Sequence, residues 1–120
     1  MNKKTVVIGA SENPERTSYQ AIFSLGRTNK PVVAIGNKEG EVNGIKIIKG
    51  QPMIEDVDTV TMYVGAKNQP LLYEYILSLK PKRIIFNPGA ENPEFEKRCT
   101  ENNIEVVVAC TLTMLSVGNY

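Results

Sequence analysis

The sequence predicts an α/β fold: a doubly wound sheet of about five mainly parallel strands with helices on both faces. Two observations carry this. Short β-branched runs (TVVIGA, PVVAIG, DTVTMYV, RIIFN and IEVVVA) recur along the 120 residues, and segments of helical spacing separate most of them. The runs are mostly continuously apolar rather than alternating, as in strands covered on both faces. Right-handed crossovers then give a Rossmann-like layering. A chain of 120 residues is enough for one domain, 1–120, with its own core.

Taken in order, Thr5 to Ala10 form the first strand. Thr17 and Gln20 fit the capping-box spacing, and Tyr19, Ile22, Phe23 and Gly26 follow at helical spacing, which predicts a helix over about Ser18–Thr28. Pro31 to Gly36 give the second strand, with proline tolerated at its first position. NKEGEVNG is expected as a loop, Ile45 to Lys49 as a short strand or extended connection, and QPMIEDV as holding one helical turn. Asp58 to Val64 form another strand. Pro70 stands where a helix would begin, Leu72, Tyr75, Ile76 and Leu79 follow at i, i+3, i+4 and i+7, and Pro81 stops that helix. Arg83 to Asn87 form a strand. Asn92-Pro93-Glu94 supplies a cap, a first-position proline and an acid at the positive end of the dipole for a helix to about Asn103. Ile104 to Ala109 is the last core strand. The tail CTLTMLSVGNY fits either of two roles, packing back on the domain or covering a dimer surface.

Composition excludes several function classes. Net charge is +1, with 42% hydrophobic and 22% charged residues, so neither a nucleic-acid stripe nor a membrane-attracted surface is expected. VVIGA is too short for a signal-peptide core and polar SENPER interrupts it, which points to a cytoplasmic protein. Cys99 and Cys110 form no disulfide framework and no metal spacing. The absence of histidine excludes Ser-His and Cys-His nucleophile pairs, phosphohistidine chemistry and His-ligated zinc.

Ligands of such sheets lie at the carboxyl ends of the strands. At the first tip, Gly9 permits a tight turn, and small Ala10 and Ser11 let a phosphate approach the backbone. The amides opening the helix, the Thr17 and Ser18 hydroxyls and basic Arg16 stand where an anion would sit. The same residues also make a plain βα-turn. No G-x-G-x-x-G is present, and the acid of a NAD-binding second tip is replaced by Gly36-Asn37-Lys38. Lys38 suits a nucleotide with an extra phosphate, or a solvated loop. At the third tip Val64, Gly65 and Ala66 are small enough for a planar base, with Lys67 beside them. The fourth tip offers Asn87, Pro88 and Gly89 with Glu91. There is no P-loop and no catalytic constellation, so the residues favour holding a nucleotide over transforming it.

With Gly9, Ala10, Ser11, Pro14, Arg16 and Ser18 matching G-A-S-x-x-P-x-R-x-S, the chain resembles the stand-alone CoA-binding proteins. The same kind of domain forms the N-terminal part of the succinyl-CoA synthetase α-subunit and of related acyl-CoA ligases. The likeness extends over AIGNK, MYVGAKNQP and IIFNPGAENPE to VVVAC, where Val108-Ala109 replaces the usual Asp-Arg. It implies CoA or acyl-CoA across the strand tips. The pyrophosphate would lie on Ala10, Ser11 and Arg16 to Ser18, and the phosphate-bearing ribose at Lys38. The adenine and pantetheine path would run along Val64 to Lys67 and Asn87 to Gly89. Ligase activity does not follow, since it needs a phosphohistidine and the sequence has no histidine.

Three functions are therefore weighed: a CoA or acyl-CoA binding protein without catalytic machinery, a small NAD(P)-dependent oxidoreductase, and a degenerate interaction subunit with an empty site. In the last, the tail from Thr111 to Val117 would serve a homodimer or partner surface.

Overall fold

A computed structural model describes residues 3–120. Its elements are β1 (Lys4–Ile8), α1 (Thr17–Gly26), β2 (Val32–Ile35), β3 (Gly40–Val42), β4 (Ile45–Ile48) and β5 (Val57–Met62). Two short 3-10 turns, Ala66–Asn68 and Pro70–Leu72, lead to α2 (Tyr73–Leu79), β6 (Arg83–Phe86), α3 (Pro93–Glu101), β7 (Glu105–Val108) and α4 (Thr111–Val117). The strands form one seven-stranded sheet in the order β3-β4-β2-β1-β5-β6-β7, parallel except for the β3–β4 pair. The α/β, Rossmann-like, doubly wound class is as the sequence predicts.

The sheet has seven strands rather than about five because residues 40–48 fold as a hairpin. Asn43 and Gly44 take φ of 48° and 87°, both in the left-handed region that a two-residue turn of right-twisted strands requires. The stretch expected as a loop thus contributes β3.

Side chains alternate across the strands. Val6, Ile8, Val60, Met62, Ile84 and Phe86 point to one face, under Tyr75, Ile76 and Leu79 of α2 and Phe95 and Cys99 of α3. Val7, Ala34 and Ile47 point to the other, under Ile22 and Leu25 of α1, with Leu115 of α4 alongside. Tyr73 and Phe95 stack with ring centroids 4.2 Å apart, locking α2 to α3.

Several boundaries differ for physical reasons. The capping box does not form: Arg16 is the N-cap of α1, without a side-chain cap bond, and Thr17 already lies within the helix. Gln20 Nε2 instead donates to the Pro14 carbonyl at 3.1 Å. QPMIEDV holds no helical turn. Tyr75 Oη donates to the Pro52 carbonyl at 2.7 Å and Lys4 Nζ to the Glu55 carbonyl at 2.6 Å, tying this segment to α2 and β1 without helical bonds. Pro70 opens a 3-10 turn, and α2 follows it. Lys80, at φ 50°, closes α2 ahead of Pro81. Asn92 does cap α3, its Oδ1 accepting from the Phe95 N–H at 3.3 Å.

The tail packs back on the domain. Thr111 and Met114 are buried, and Leu115 and Tyr120 pack against the α1-side core. Tyr120 shares a hydroxyl hydrogen bond with Thr5, and the Arg83 guanidinium sits 4.7 Å from its ring centroid. No helix among the described residues is long and apolar enough to cross a membrane.

The chain leaves β1 toward β2 on one side and returns to β5 on the other. That reversal opens a crevice at the carboxyl ends of β1, β2 and β5, where open α/β sheets bind ligands.

Candidate functional site

A cleft of about 950 Å³ occupies that crevice. The first tip contributes Gly9, Ala10 and Ser11, and the start of α1 contributes Arg16, Thr17 and Ser18. The second tip contributes Gly36, Asn37 and Lys38, the third Tyr63, Val64 and Gly65, and the fourth Pro88.

The three central tips touch through glycines. Gly9 adopts φ +94°, and a Cβ there would lie 3.0 Å from the Tyr63 carbonyl carbon. A Cβ on Gly36 would lie 2.4 Å from the Ala10 carbonyl oxygen. The Gly9 and Ala10 N–H groups both donate to the Ile35 carbonyl at 2.9 Å. These two amides hold β1 to β2, so the phosphate approach expected at Ala10 lacks its N–H.

The donors that remain come from the loop and from α1. Ser11 Oγ accepts from the Asn13 N–H, and Asn13 Oδ1 from the Glu15 N–H, each at 3.0 Å. These side-chain turns bend residues 11–15 back to the helix start. Ser11 keeps its hydroxyl proton for another acceptor. α1 begins without a side-chain cap and without an acid in its first turn. Among the described residues, the Thr17 and Ser18 N–H groups have no backbone acceptor. The positive end of a ten-residue helix therefore opens onto the cleft.

The charge of the wall is mixed. Arg16 and Lys38 are accompanied by Glu12, Glu15 and Glu39. Glu12 is engaged: its Oε2 accepts from the Glu41 N–H at 2.9 Å, linking the first loop to β3. Gly40 makes room for it, since a Cβ there would lie 2.3 Å from the Glu12 carboxyl carbon. Recognition of an anion here falls on amides and hydroxyls at least as much as on the two cations.

Four expected site residues lie outside this wall. Pro14 is exposed on the loop, and Lys67 is exposed in the Ala66–Asn68 turn, whose Asn68 lines the cleft instead. The Gly89 N–H donates to Glu91 Oε1 at 2.8 Å in a local turn. Asn87 is 1% exposed and turned inward: Nδ2 donates to Thr61 Oγ1 at 2.7 Å and to the Met62 carbonyl at 2.9 Å, and Oδ1 accepts from the Thr111 N–H at 2.8 Å. Its amide is used in anchoring α4 to β5, a direction that residue spacing does not encode.

The cleft is also lined by Tyr63, Asn68 and Leu72, which are not among the residues the sequence points to. Nothing in the spacing marks them except that each adjoins a tip or a helix start. The Tyr63 hydroxyl is buried without a hydrogen-bond partner among the described residues, and burial pushes its pKa up to about 12. Cys110, the N-cap of α4, is half-buried, and its thiol is held below the ordinary value chiefly by the Thr113 side chain and N–H. Among the described residues, no group of histidine, cysteine or carboxylate side chains is placed to hold a metal ion.

Comparison with protein-family models matches residues 3–116 to a CoA binding domain. Curated proteins give no match. Among solved structures, the crystal structure of an uncharacterized protein is 49% identical, with TM-score 0.96, covering 100% of this chain and 99% of that one. A Thermus thermophilus protein at 23% identity has TM-score 0.85, covering 99% of this chain and 91% of that one. A hypothetical protein from Pyrococcus horikoshii at 24% has TM-score 0.82, covering 97% and 83%. The last two attest the fold alone. With the family model spanning nearly its whole length and the cleft at the strand tips, the chain belongs to the CoA-binding domain family.

Proposed function

We propose that the chain is a single CoA-binding domain, 1–120, that holds CoA or an acyl-CoA in the strand-tip cleft and carries no reaction of its own. The observation that supports this most directly is the uncapped start of α1, whose Thr17 and Ser18 amides open onto a cleft large enough for a nucleotide. In this reading the pyrophosphate lies against Ser11 and Arg16 to Ser18. Lys38 and Asn37 meet the phosphate-bearing ribose. Val64, Gly65 and Pro88 provide a flat, small-residue wall for the adenine or the pantetheine arm. Pro14, Lys67, Asn87 and Gly89 act through the backbone shape of their loops. The free thiols Cys99 and Cys110 accord with a cytoplasmic location.

The test is a thermal-shift panel of CoA, acetyl-CoA, dephospho-CoA, NADH, NADPH and ATP on the whole chain. Binding to the native state raises stability by mass action, about 2.7 kcal/mol at a hundredfold excess over Kd. CoA is expected to raise Tm, and dephospho-CoA to raise it less. A shift with NADPH but not CoA would favour the oxidoreductase reading. No shift with any ligand would favour the interaction subunit with an empty site.

A further inference from the structure

The two edges of the sheet are finished differently. β3 is short, carries Glu41, and its outward Glu41 N–H is taken by Glu12 Oε2 at 2.9 Å. β7 is less protected: its sequence is Glu-Val-Val-Val, with one charge at its start, Glu105, but no lysine, proline or bulge. The Glu105 N–H donates to the Lys82 carbonyl at 3.0 Å and the Ala109 N–H to the Phe86 carbonyl at 3.2 Å. Alternation puts Val107 in the same inward row and turns the N–H and C=O of Val106 and Val108 outward. Among the described residues, neither group has a partner. The Val108 side chain is 55% exposed beside them.

We propose that β7 is a self-association edge, at which a second copy of this chain pairs antiparallel about a two-fold axis through Val107. Val106 of one copy then exchanges both backbone hydrogen bonds with Val108 of the other, and the reverse, as a hydrogen-bonded pair requires. Val107 meets its own copy. Glu105, the one charged residue of β7, comes opposite Ala109, so no like charges face each other across the seam. A valine-rich edge whose single charge faces alanine is self-complementary, which is what an isologous dimer needs. Because β3 is covered, pairing closes at two copies and does not extend into a filament. The tail, packed on its own domain, is not the surface used. A seam this short falls below the roughly 1,200 Å² of stable complexes, so the dimer forms reversibly and with concentration.

The test combines sedimentation with amide exchange on the whole chain without ligand, which separates it from the CoA reading. Wild type is expected to pass from monomer to dimer with rising concentration. Val108→Lys places a charge on the edge, and Val106→Pro removes an outward N–H that the fold does not use. Both variants are expected to stay monomeric; exposed Val108→Lys is expected to keep the unfolding midpoint and so carries the test, while Val106→Pro also removes a side chain packed on the core and is expected to lower it. At high concentration the Val106 and Val108 amides are expected to exchange about tenfold more slowly than at low concentration, while the Val107 amide is protected at both. A monomer up to millimolar concentration, a dimer that survives Val108→Lys, or concentration-independent exchange at Val106 and Val108 would each overturn the proposal.

Discussion

Asn87 holds Thr111: the Asn87 Oδ1 accepts the Thr111 N–H at 2.8 Å, while the Asn87 Nδ2 reaches Thr61 Oγ1 and the Met62 carbonyl. Thr61 Oγ1 is in turn 2.7 Å from Thr111 Oγ1. One buried amide therefore fixes the tip of β6 to β5 and to the start of α4, so the polar side chain at this tip serves the fold.

Asn87→Ala leaves the buried Thr111 N–H without its partner and takes from the Met62 carbonyl the stronger of its two donors, the Asn87 backbone N–H remaining at 3.4 Å. A loss of about 3 kcal/mol in urea unfolding is expected. CoA affinity, measured where the variant is still folded, should change by less than about threefold. A large loss of affinity at full stability would show that Asn87 meets the ligand after all.

Much of this fold was legible in the sequence. The continuous apolar runs gave the parallel strands, and Asn92-Pro93 gave the start of α3, because burial and capping are local consequences of residue type. The Asn43-Gly44 turn was a readable hairpin signal, but its flanks alternate poorly, with Gly40, Glu41 and Lys46 around Val42 and Ile45. At the site, the Gly9 turn and the Lys38 tip follow from chain position. The direction of the Asn87 amide does not, nor does the spending of the Ala10 N–H on Ile35, because both depend on which strands become neighbours.

Gly36→Ala should damage the cleft from the second tip. Its Cβ would lie 2.4 Å from the Ala10 carbonyl oxygen, a backbone atom that cannot swing aside. Stability is expected to fall by about 2 kcal/mol or more. CoA affinity should fall with it, because the tips of β1 and β2 must separate. Unfolding curves beside calorimetry will show whether both quantities move; unchanged values in both would mean that the tips are not packed as described.

Arg16→Ala with Lys38→Ala addresses the ligand directly. Both side chains are exposed and line the cleft. Removing them should leave Tm within about 2 °C, since surface substitutions away from packed features cost little. CoA affinity should drop about tenfold or more, and its dependence on salt should weaken, because charge-assisted phosphate contacts are lost. Carboxylates Glu12, Glu15 and Glu39 share the wall, so the amides of α1 are expected to retain residual binding. Calorimetry at low and moderate salt reads both effects, and an unchanged affinity would dismiss the proposed pose.

Alkaline pH should destabilise the protein through its buried acids. Burial pushes the Cys99 thiol from 9.0 up to about 11 and the Tyr63 phenol from 10.0 up to about 12. Both groups are neutral when protonated, so their raised pKa values favour the fold only while the unfolded chain also keeps the proton. Above the unfolded pKa values, the unfolded chain releases protons that the native chain retains, and stability falls with pH. Denaturant midpoints should therefore hold steady from pH 7 to about 8.5 and decline between about 9 and 11. Cys99→Ala should flatten the first part of that decline while lowering stability at pH 7 by a constant amount. The two thiols should also differ in reactivity: half-buried Cys110, whose pKa is lowered, should react with an aromatic disulfide reagent at neutral pH, while Cys99 should wait for unfolding. Equal labelling rates for the two cysteines in the native protein would contradict the burial of Cys99 on which the pH argument rests.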